Sequence, residues 1–257
     1  MSVAALTWRS RDLEPLQLGQ SDVHVWVFSL DADPGNLHQL ARLLSADELA
    51  RAMRFRFDSD QGRFITCRAR LRTILARYIG MEPQRIAFSY GPAGKPYIPA
   101  FPGLQFNLSN CGELAVVAAT SFDEVGIDIE RLRPINDMDQ IARHFFAPAE
   151  YMKLMELHPS FRTKAFFDCW TRKEAYVKAV GIGLGLPLDS FEVSVGPGEP
   201  VRFVAFYGQS EELARWQLEA LNPAMEYIGA VAVRAEHCCI SCWELPEARQ
   251  PIGKVRG

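Results

Sequence analysis

Two short runs hold the side chains that could do chemistry. In Val125-Gly126-Ile127-Asp128-Ile129-Glu130 two carboxylates sit two residues apart within an apolar, β-branched run. In a strand such residues face one side, about 6.8 Å apart. Asp128 and Glu130 then point one way, while Ile127 and Ile129 point into a core. In Trp170-Thr171-Arg172-Lys173-Glu174-Ala175-Tyr176-Val177-Lys178, Glu174 and Lys178 are four residues apart in a helical run. They share a face, with Trp170 one turn earlier. Three acidic oxygen donors beside a lysine suit a hard divalent cation holding a phosphate. Each run alone has a plainer reading: acids on a solvated strand edge, or a surface helix with an ordinary Glu–Lys pair. The conjunction is more specific than either part.

Other segments could complete such a site. Phe106-Asn107-Leu108-Ser109-Asn110-Cys111-Gly112 reads as a strand end breaking into a polar turn. Its hydroxyl, amide and backbone N–H groups could hold a phosphate, or simply close a hairpin. Lys95, in the Gly-Pro loop 91–96, is a phosphate ligand or a solvated loop lysine. Arg51, Arg54, Arg56 and Arg63 form a basic cluster in which one or two could bind an anion. Gly181-Ile182-Gly183-Leu184-Gly185 imitates a phosphate loop, but it ends a helix rather than opening one, so no helix N-terminus faces the anion. His237-Cys238-Cys239-Ile240-Ser241-Cys242 has zinc-ligand types within a strand-like run. Alternation sends Cys238 and Cys242 to one face and Cys239 to the other, which favours reduced thiols over a metal site.

The elements that must position these groups follow from patterning. Strands are expected at Val23–Ser29, Arg85–Tyr90, Leu104–Leu108, Leu114–Thr120 and Val125–Glu130, and later at Phe191–Val195, Val201–Phe206, Arg215–Ala220, Tyr227–Val233 and Cys238–Trp243. A capping box at Ser45-Ala46-Asp47-Glu48 opens a short helix, and a longer one runs from Ser59 to a stop at Gly80. Further helices fall near Asp137–Phe145 and Pro148–Leu157, and a long one spans Phe161–Val180 with Gly181 after it. Strand, helices, long helix and strands recur, so two halves of like build are expected. The tail after Leu245 reads as loose.

Composition sets the outer bounds. The 257 residues are 48% hydrophobic and 23% charged, which is globular composition with ample core material. A net charge of -3 offers no global basic field for nucleic acid. No window approaches the roughly 20 apolar residues of a membrane span, and the N-terminus has no secretory apolar segment. The chain reads as soluble and cytoplasmic, with six scattered cysteines and no disulfide framework.

Together these residues resemble the Sfp-type 4'-phosphopantetheinyl transferase family. The resemblance runs from the Arg51–Arg72 region through Gly94-Lys95-Pro96, Asn107-Leu108-Ser109, Gly126-Ile127-Asp128-Ile129-Glu130 and Phe145-Phe146 with Glu150. It continues through Trp170-x-x-Lys173-Glu174-x-x-x-Lys178 to Gly183-Leu184 and Leu186-Pro187-Leu188. It implies an α+β pseudo-dimer of two similar halves, 1–123 and 124–257, with the active site between them and a monomeric chain. It implies transfer of the phosphopantetheine arm of coenzyme A to a serine of an acyl or peptidyl carrier protein, with release of 3',5'-ADP. Carried over by position, Asp128, Glu130 and Glu174 would hold Mg2+, and Lys178, Lys95 and Ser109 would contact phosphates. Arg51 and Arg63 fall where the family places basic residues near the 3'-phosphate of coenzyme A. The family usually has histidine where this chain has Asn110, which bears on the nucleotide-phosphate contact. Glu174 could be both ligand and base beside Lys178, or a metal-bound water could be the base. Two other readings stay open: a Mg2+-dependent pyrophosphate or nucleotide hydrolase, and an impaired relative that only binds coenzyme A or carrier protein.

Overall fold

The computed structural model describes residues 6–10, 16–31, 33–208 and 210–246; the loose tail expected after Leu245 therefore lies almost wholly outside them. In chain order the first elements are β1 (Trp8–Ser10), β2 (Asp22–Ser29), α1 (Pro34–Ala41), α2 (Ala46–Ala52) and α3 (Asp58–Ile79). A ribbon of β3 (Ser89–Tyr90) and β4 (Pro96–Tyr97) precedes β5 (Gln105–Cys111), β6 (Leu114–Thr120) and β7 (Val125–Arg131). Then come α4 (Met138–Phe145), α5 (Pro148–Glu156), α6 (Pro159–Val180), β8 (Phe191–Val193), β9 (Phe203–Phe206), β10 (Trp216–Leu221), β11 (Tyr227–Arg234) and β12 (Cys239–Glu244).

Alternation along the strands builds four layers. In β2, Trp26 and Phe28 pack with Leu71, Ile74 and Leu75 of α3. Val23, Val25 and Val27 face the other way and pack with Val125, Ile127 and Ile129 of β7 and Val231 and Val233 of β11. On the far side of β11, Ile228, Ala230 and Ala232 pack with Phe166, Ala175 and Tyr176 of α6. The order is α3, a five-stranded sheet (β1-β12-β2-β6-β5), a three-stranded sheet (β10-β11-β7) and α6. Both sheets are covered on both faces, which is why β2, β6 and β7 are apolar almost throughout.

Each half is thus a sheet with one long helix on it, the α+β likeness expected from the repeated pattern. The halves are not equal. β12 returns to the first sheet and lies parallel to both β1 and β2. Beyond about residue 234, position in the chain and position in space part company.

Several expected elements differ. The strand expected over Arg85–Tyr90 is a 3-10 turn at Pro83–Arg85 and a two-residue strand at Ser89–Tyr90. The cause is buried Arg72, whose guanidinium donates to the carbonyls of Pro83 and Ile86 at 2.9 Å and so replaces a strand partner. Glu48 holds that guanidinium at 2.7 Å and the neighbouring Arg68 at 2.5 Å. The strand expected to break after Leu108 continues to Cys111, and the turn is only Gly112-Glu113, with Gly112 at φ 58°. Helix α1 had no expectation, although Asp33 caps it and Pro34 opens it.

One close approach places the helix that matters. A Cβ built on Gly126 would lie 2.0 Å from the carbonyl oxygen of Ala175 and 2.2 Å from the amide nitrogen of Ala179. Backbone rests on backbone there, so α6 crosses β7 with no side chain between. Gly126→Ala must push α6 outward. We expect a loss of about 3 kcal/mol, the upper part of the overpacking range, read as a lower urea midpoint at unchanged slope.

Candidate active site

Strand β7 turns Ile127 and Ile129 into the inter-sheet core and turns Asp128 and Glu130 toward α6. Glu174 and Lys178 come from the facing side of α6. Lys178 Nζ stands 2.5 Å from Asp128 Oδ1. It also donates to Ser109 Oγ at 3.0 Å, and Ser109 Oγ donates to the same Asp128 oxygen at 3.0 Å. The other Asp128 oxygen, Oδ2, is buried and has no hydrogen-bond partner.

The electrostatics are those of crowded acids. Burial pushes the Asp128 carboxyl above its usual range, Lys178 and Ser109 oppose the shift, and Glu130 adds to it. Burial likewise raises Glu174, the charge of Asp128 raises it further, and Lys178 opposes. Glu130 is held by Arg133 at 3.1 Å and accepts from Cys111 Sγ at 3.5 Å. Among the described residues no three His, Cys, Asp or Glu side chains are gathered closely enough to cage an ion as they stand. The donor set nonetheless fits a divalent cation. It has hard oxygens, mutual repulsion that a cation relieves, and one buried oxygen without a donor.

The halves meet at two strand edges. β7 is the outer strand of its sheet and β5 the outer strand of the other. Glu124 and Leu132 hydrogen-bond toward β11 and its flank, so Val125 and Ile127 turn their backbone groups to the free edge. Side chains from the first half satisfy them. Asn107 Oδ1 accepts from Ile127 N at 2.9 Å, and Lys95 Nζ donates to Val125 O at 2.9 Å. Asn107 carried no specific role in the sequence reading. Its signal was the alternation Asn107, Ser109, Cys111, which puts three polar side chains on the face toward β7.

The remaining predicted residues line a groove beside this seam. A cleft of about 510 Å³ is bordered by Arg51, Arg63 and Asn110. A second, of about 310 Å³, is bordered by Lys95, Glu174 and Lys178. Gly94, Pro96 and Leu108 line both, so the two adjoin. Arg63 is paired with Asp31 at 3.0 Å and lies 3.8 Å from Glu113. Arg51 lies over the ring of Phe64, and Asn110 is exposed on the wall. Lys95 is set apart, because its ammonium already serves two backbone carbonyls, Val125 O and Ala179 O. All six cysteines are free of disulfide bonds.

Lys173 and Glu150 have a structural role that the motif did not reveal. Lys173 is fully buried, 2.7 Å from Glu150 Oε2, and donates to the carbonyls of Leu188 and Phe191 at 2.7 Å. Glu150 accepts from the amides of Ala147 and Val193 at 2.8 and 2.6 Å. The pair ties α5, α6 and β8 together and fixes the rotation of the helix that presents Glu174.

Known proteins resemble this chain along most of its length. The model of the 4'-phosphopantetheinyl transferase superfamily matches residues 124–232, and that of the 4'-phosphopantetheinyl transferase N-terminal region matches residues 31–122. The chain is 40% identical over 221 residues to 4'-phosphopantetheinyl transferase HetI of Nostoc sp., spanning 85% of this chain and 90% of that one. It is 39% identical over 159 residues to a 4'-phosphopantetheinyl transferase of Bacillus subtilis, spanning 62% and 70%. To 4'-phosphopantetheinyl transferase Sfp of Bacillus subtilis it is 35% identical over 150 residues, spanning 58% and 66%.

The buried pair yields a stability test. Lys173→Met leaves Glu150 buried without its cation and is expected to cost about 3–5 kcal/mol. Adding Glu150→Leu should recover part of that loss, because an apolar pair has no orphaned charge. Denaturant unfolding of the two single variants and the double variant measures the coupling.

Proposed function

This chain belongs to the 4'-phosphopantetheinyl transferase superfamily and is a 4'-phosphopantetheinyl transferase of the Sfp type, and on that premise we propose how its groove carries the reaction. The donor is coenzyme A and the acceptor is the serine of an acyl or peptidyl carrier protein. Halves 1–123 and 124–257 contribute one wall each, so a single chain supplies the whole site and acts as a monomer. No helix among the described residues is long and apolar enough to cross a membrane.

The observation that carries this reading is the buried, unpartnered Asp128 Oδ2 beside Lys178 at the seam of the halves. Asp128, Glu130 and Glu174 are the residues that would hold Mg2+. When bound, the ion supplies charge neutralisation of the pyrophosphate and of the departing 3',5'-ADP. The Lys178 ammonium supports the same developing charge and keeps Ser109 and Asp128 in register with it. The carrier serine oxygen attacks the phosphorus that bears pantetheine. A new P–O bond forms, the bridging P–O bond breaks, and 3',5'-ADP leaves with the bond pair. Serine is a poor nucleophile at neutral pH and must lose its proton. Glu174 is the base we favour, because its carboxylate borders the cleft beside Lys178. Arg51 and Arg63 border the wider cleft and suit the 3'-phosphate, with Asn110 beside them. Lys95 is left out of the phosphate ligands because its ammonium is engaged elsewhere.

The direct test incubates the protein with apo carrier protein, coenzyme A and Mg2+. The carrier should gain one phosphopantetheine unit, about 340 Da by covalent stoichiometry. Coenzyme A cleavage without carrier gain would instead mark a hydrolase. Glu174→Gln and Asp128→Asn should each lower transfer by about 100-fold or more with the fold intact by circular dichroism. Activity within a few-fold of the parent at saturating Mg2+ would remove these residues from the site.

Asn110 generates a pH test. A histidine there would gain charge below its pKa of roughly 6.5, so a phosphate contact through it strengthens as pH falls. Asparagine donates only a neutral hydrogen bond. Asn110→His should therefore tighten coenzyme A binding by about 1 kcal/mol at pH 6 and by less at pH 8. Calorimetry of both proteins at both pH values measures it. Weaker binding at both would place Asn110 away from phosphate.

A further inference from the structure

The β3–β4 ribbon leans across the seam and hydrogen-bonds to the second half through Lys95. Its turn is closed by Gly91 N to Lys95 O and by Gly94 N to Gly91 O, each 2.9 Å. Lys95 Nζ then crosses to Val125 O at 2.9 Å and Ala179 O at 2.8 Å. Val125 is the first residue of β7, three before Asp128. Ala179 is next to the last residue of α6 and directly follows Lys178. Carbonyls in a helix's last turn lack an intrahelical donor, and the helix C-terminus carries partial negative charge. A lysine there is favoured on both counts. Val125 O faces the free edge of β7, where no strand supplies an amide.

The chain after α6 is shaped to receive the ribbon. Gly181 and Gly183 adopt φ of 74° and 59°. A Cβ on Gly181 would lie 3.4 Å from Lys95 Cδ, and one on Gly183 would lie 2.9 Å from Ala93 Cβ. In this run, which imitates a phosphate loop in the sequence, Gly183 makes room for Ala93, whereas Gly181 serves its left-handed backbone. The ribbon residues Gly94 and Pro96 line both clefts.

We propose that Lys95 is a positioning residue, a staple between the halves that sets how far α6 slides along β7 and so places Lys178 and Glu174 against Asp128. It is not a phosphate ligand. An ammonium has three protons, and two are committed to carbonyls at the seam. Turning the side chain to a phosphate would strip both carbonyls of this donor. Burial, which lowers the Lys95 pKa to about 8, agrees with a side chain enclosed by the seam rather than extended into solvent. The inference rests on reading the groove as the active site, and one arm of its test does not.

That arm is amide hydrogen exchange of the native protein, with and without saturating coenzyme A. A staple predicts that protection around 177–181 and at the start of β7 holds or rises when coenzyme A binds. A phosphate ligand would leave the carbonyls on binding and lower protection there, which would overturn the proposal. The second arm uses Lys95→Met, with coenzyme A, Mg2+ and an apo acyl carrier protein. We expect kcat to fall on the order of 10- to 100-fold, as for a misplaced catalytic group, with KM for coenzyme A changed by less than about threefold. Exchange at 177–181 should speed by about tenfold or more relative to β2 and β6, the mark of a local opening. Lys95→Arg, which keeps a cationic donor at the seam, should restore part of kcat. A rise in KM of about tenfold with kcat and exchange unchanged would make Lys95 a ligand and end the staple reading. Should the native protein transfer nothing, the groove reading fails, and the exchange arm alone decides the staple.

Discussion

Everything at the site depends on a helix backbone lying directly on a strand backbone. At Gly126 the missing side chain lets α6 settle onto β7 at a separation that no Cβ would permit. Glu174 and Lys178 are short or half-buried groups that must reach acids on a strand. Their reach is spent if the helix stands off by even one methyl. Once seated, the helix is held against rotation by the Lys173–Glu150 pair on its other side. The glycine sets the distance and the buried pair sets the angle. Neither touches the reacting groups, yet both decide where those groups are.

The second constraint is the seam between β5 and β7. Two strand edges lie together without a backbone ladder. Their polar groups are served by Asn107, Ser109 and Lys95 instead. A continuous sheet would have buried Asp128 in a uniform hydrogen-bond lattice. The side-chain seam leaves Asp128 buried beside Lys178 and Glu130 held by Arg133, so each carboxylate shares its charge with a cation. The same seam explains why the raised Asp128 and Glu174 carboxyls coexist: burial is strong there, and Lys178 alone among the described lysines opposes both shifts.

Much of this was legible in the residues. The 2-residue and 4-residue spacings of Asp128/Glu130 and Glu174/Lys178 identified the facing pair of elements, because strand and helix periods are rigid. Gly80 and Gly181 marked both long-helix ends through the left-handed conformation that they adopt at φ 62° and 74°. What stayed hidden is non-local. Arg72 replaces a strand partner for Pro83–Ile86 from ten or more residues away, and no local pattern announces it. Lys95 reads as a phosphate ligand or a loop lysine until Val125 and Ala179 are brought beside it. Lys173 has no separate role in the helical run of the sequence, yet it is among the most buried side chains described. In each case a long cation satisfies backbone carbonyls of a segment distant in sequence, an arrangement that charge patterning cannot foretell.

The return of β12 to the first sheet has a consequence for how the chain acquires its shape. β12 is inserted between β1 and β2, parallel to both. During synthesis the first 230 or so residues emerge while β2 still has one edge bare. That edge is long, apolar and of strand conformation, the kind of surface that pairs with other chains. The first half cannot finish before the second has been made, so the folding of the halves is concerted rather than modular. Such a topology has high contact order and a slow closing step. It also means that the protein cannot be cut at its apparent midpoint into two autonomous units. Its pseudo-symmetry is a description of shape, while its cooperativity belongs to the whole chain.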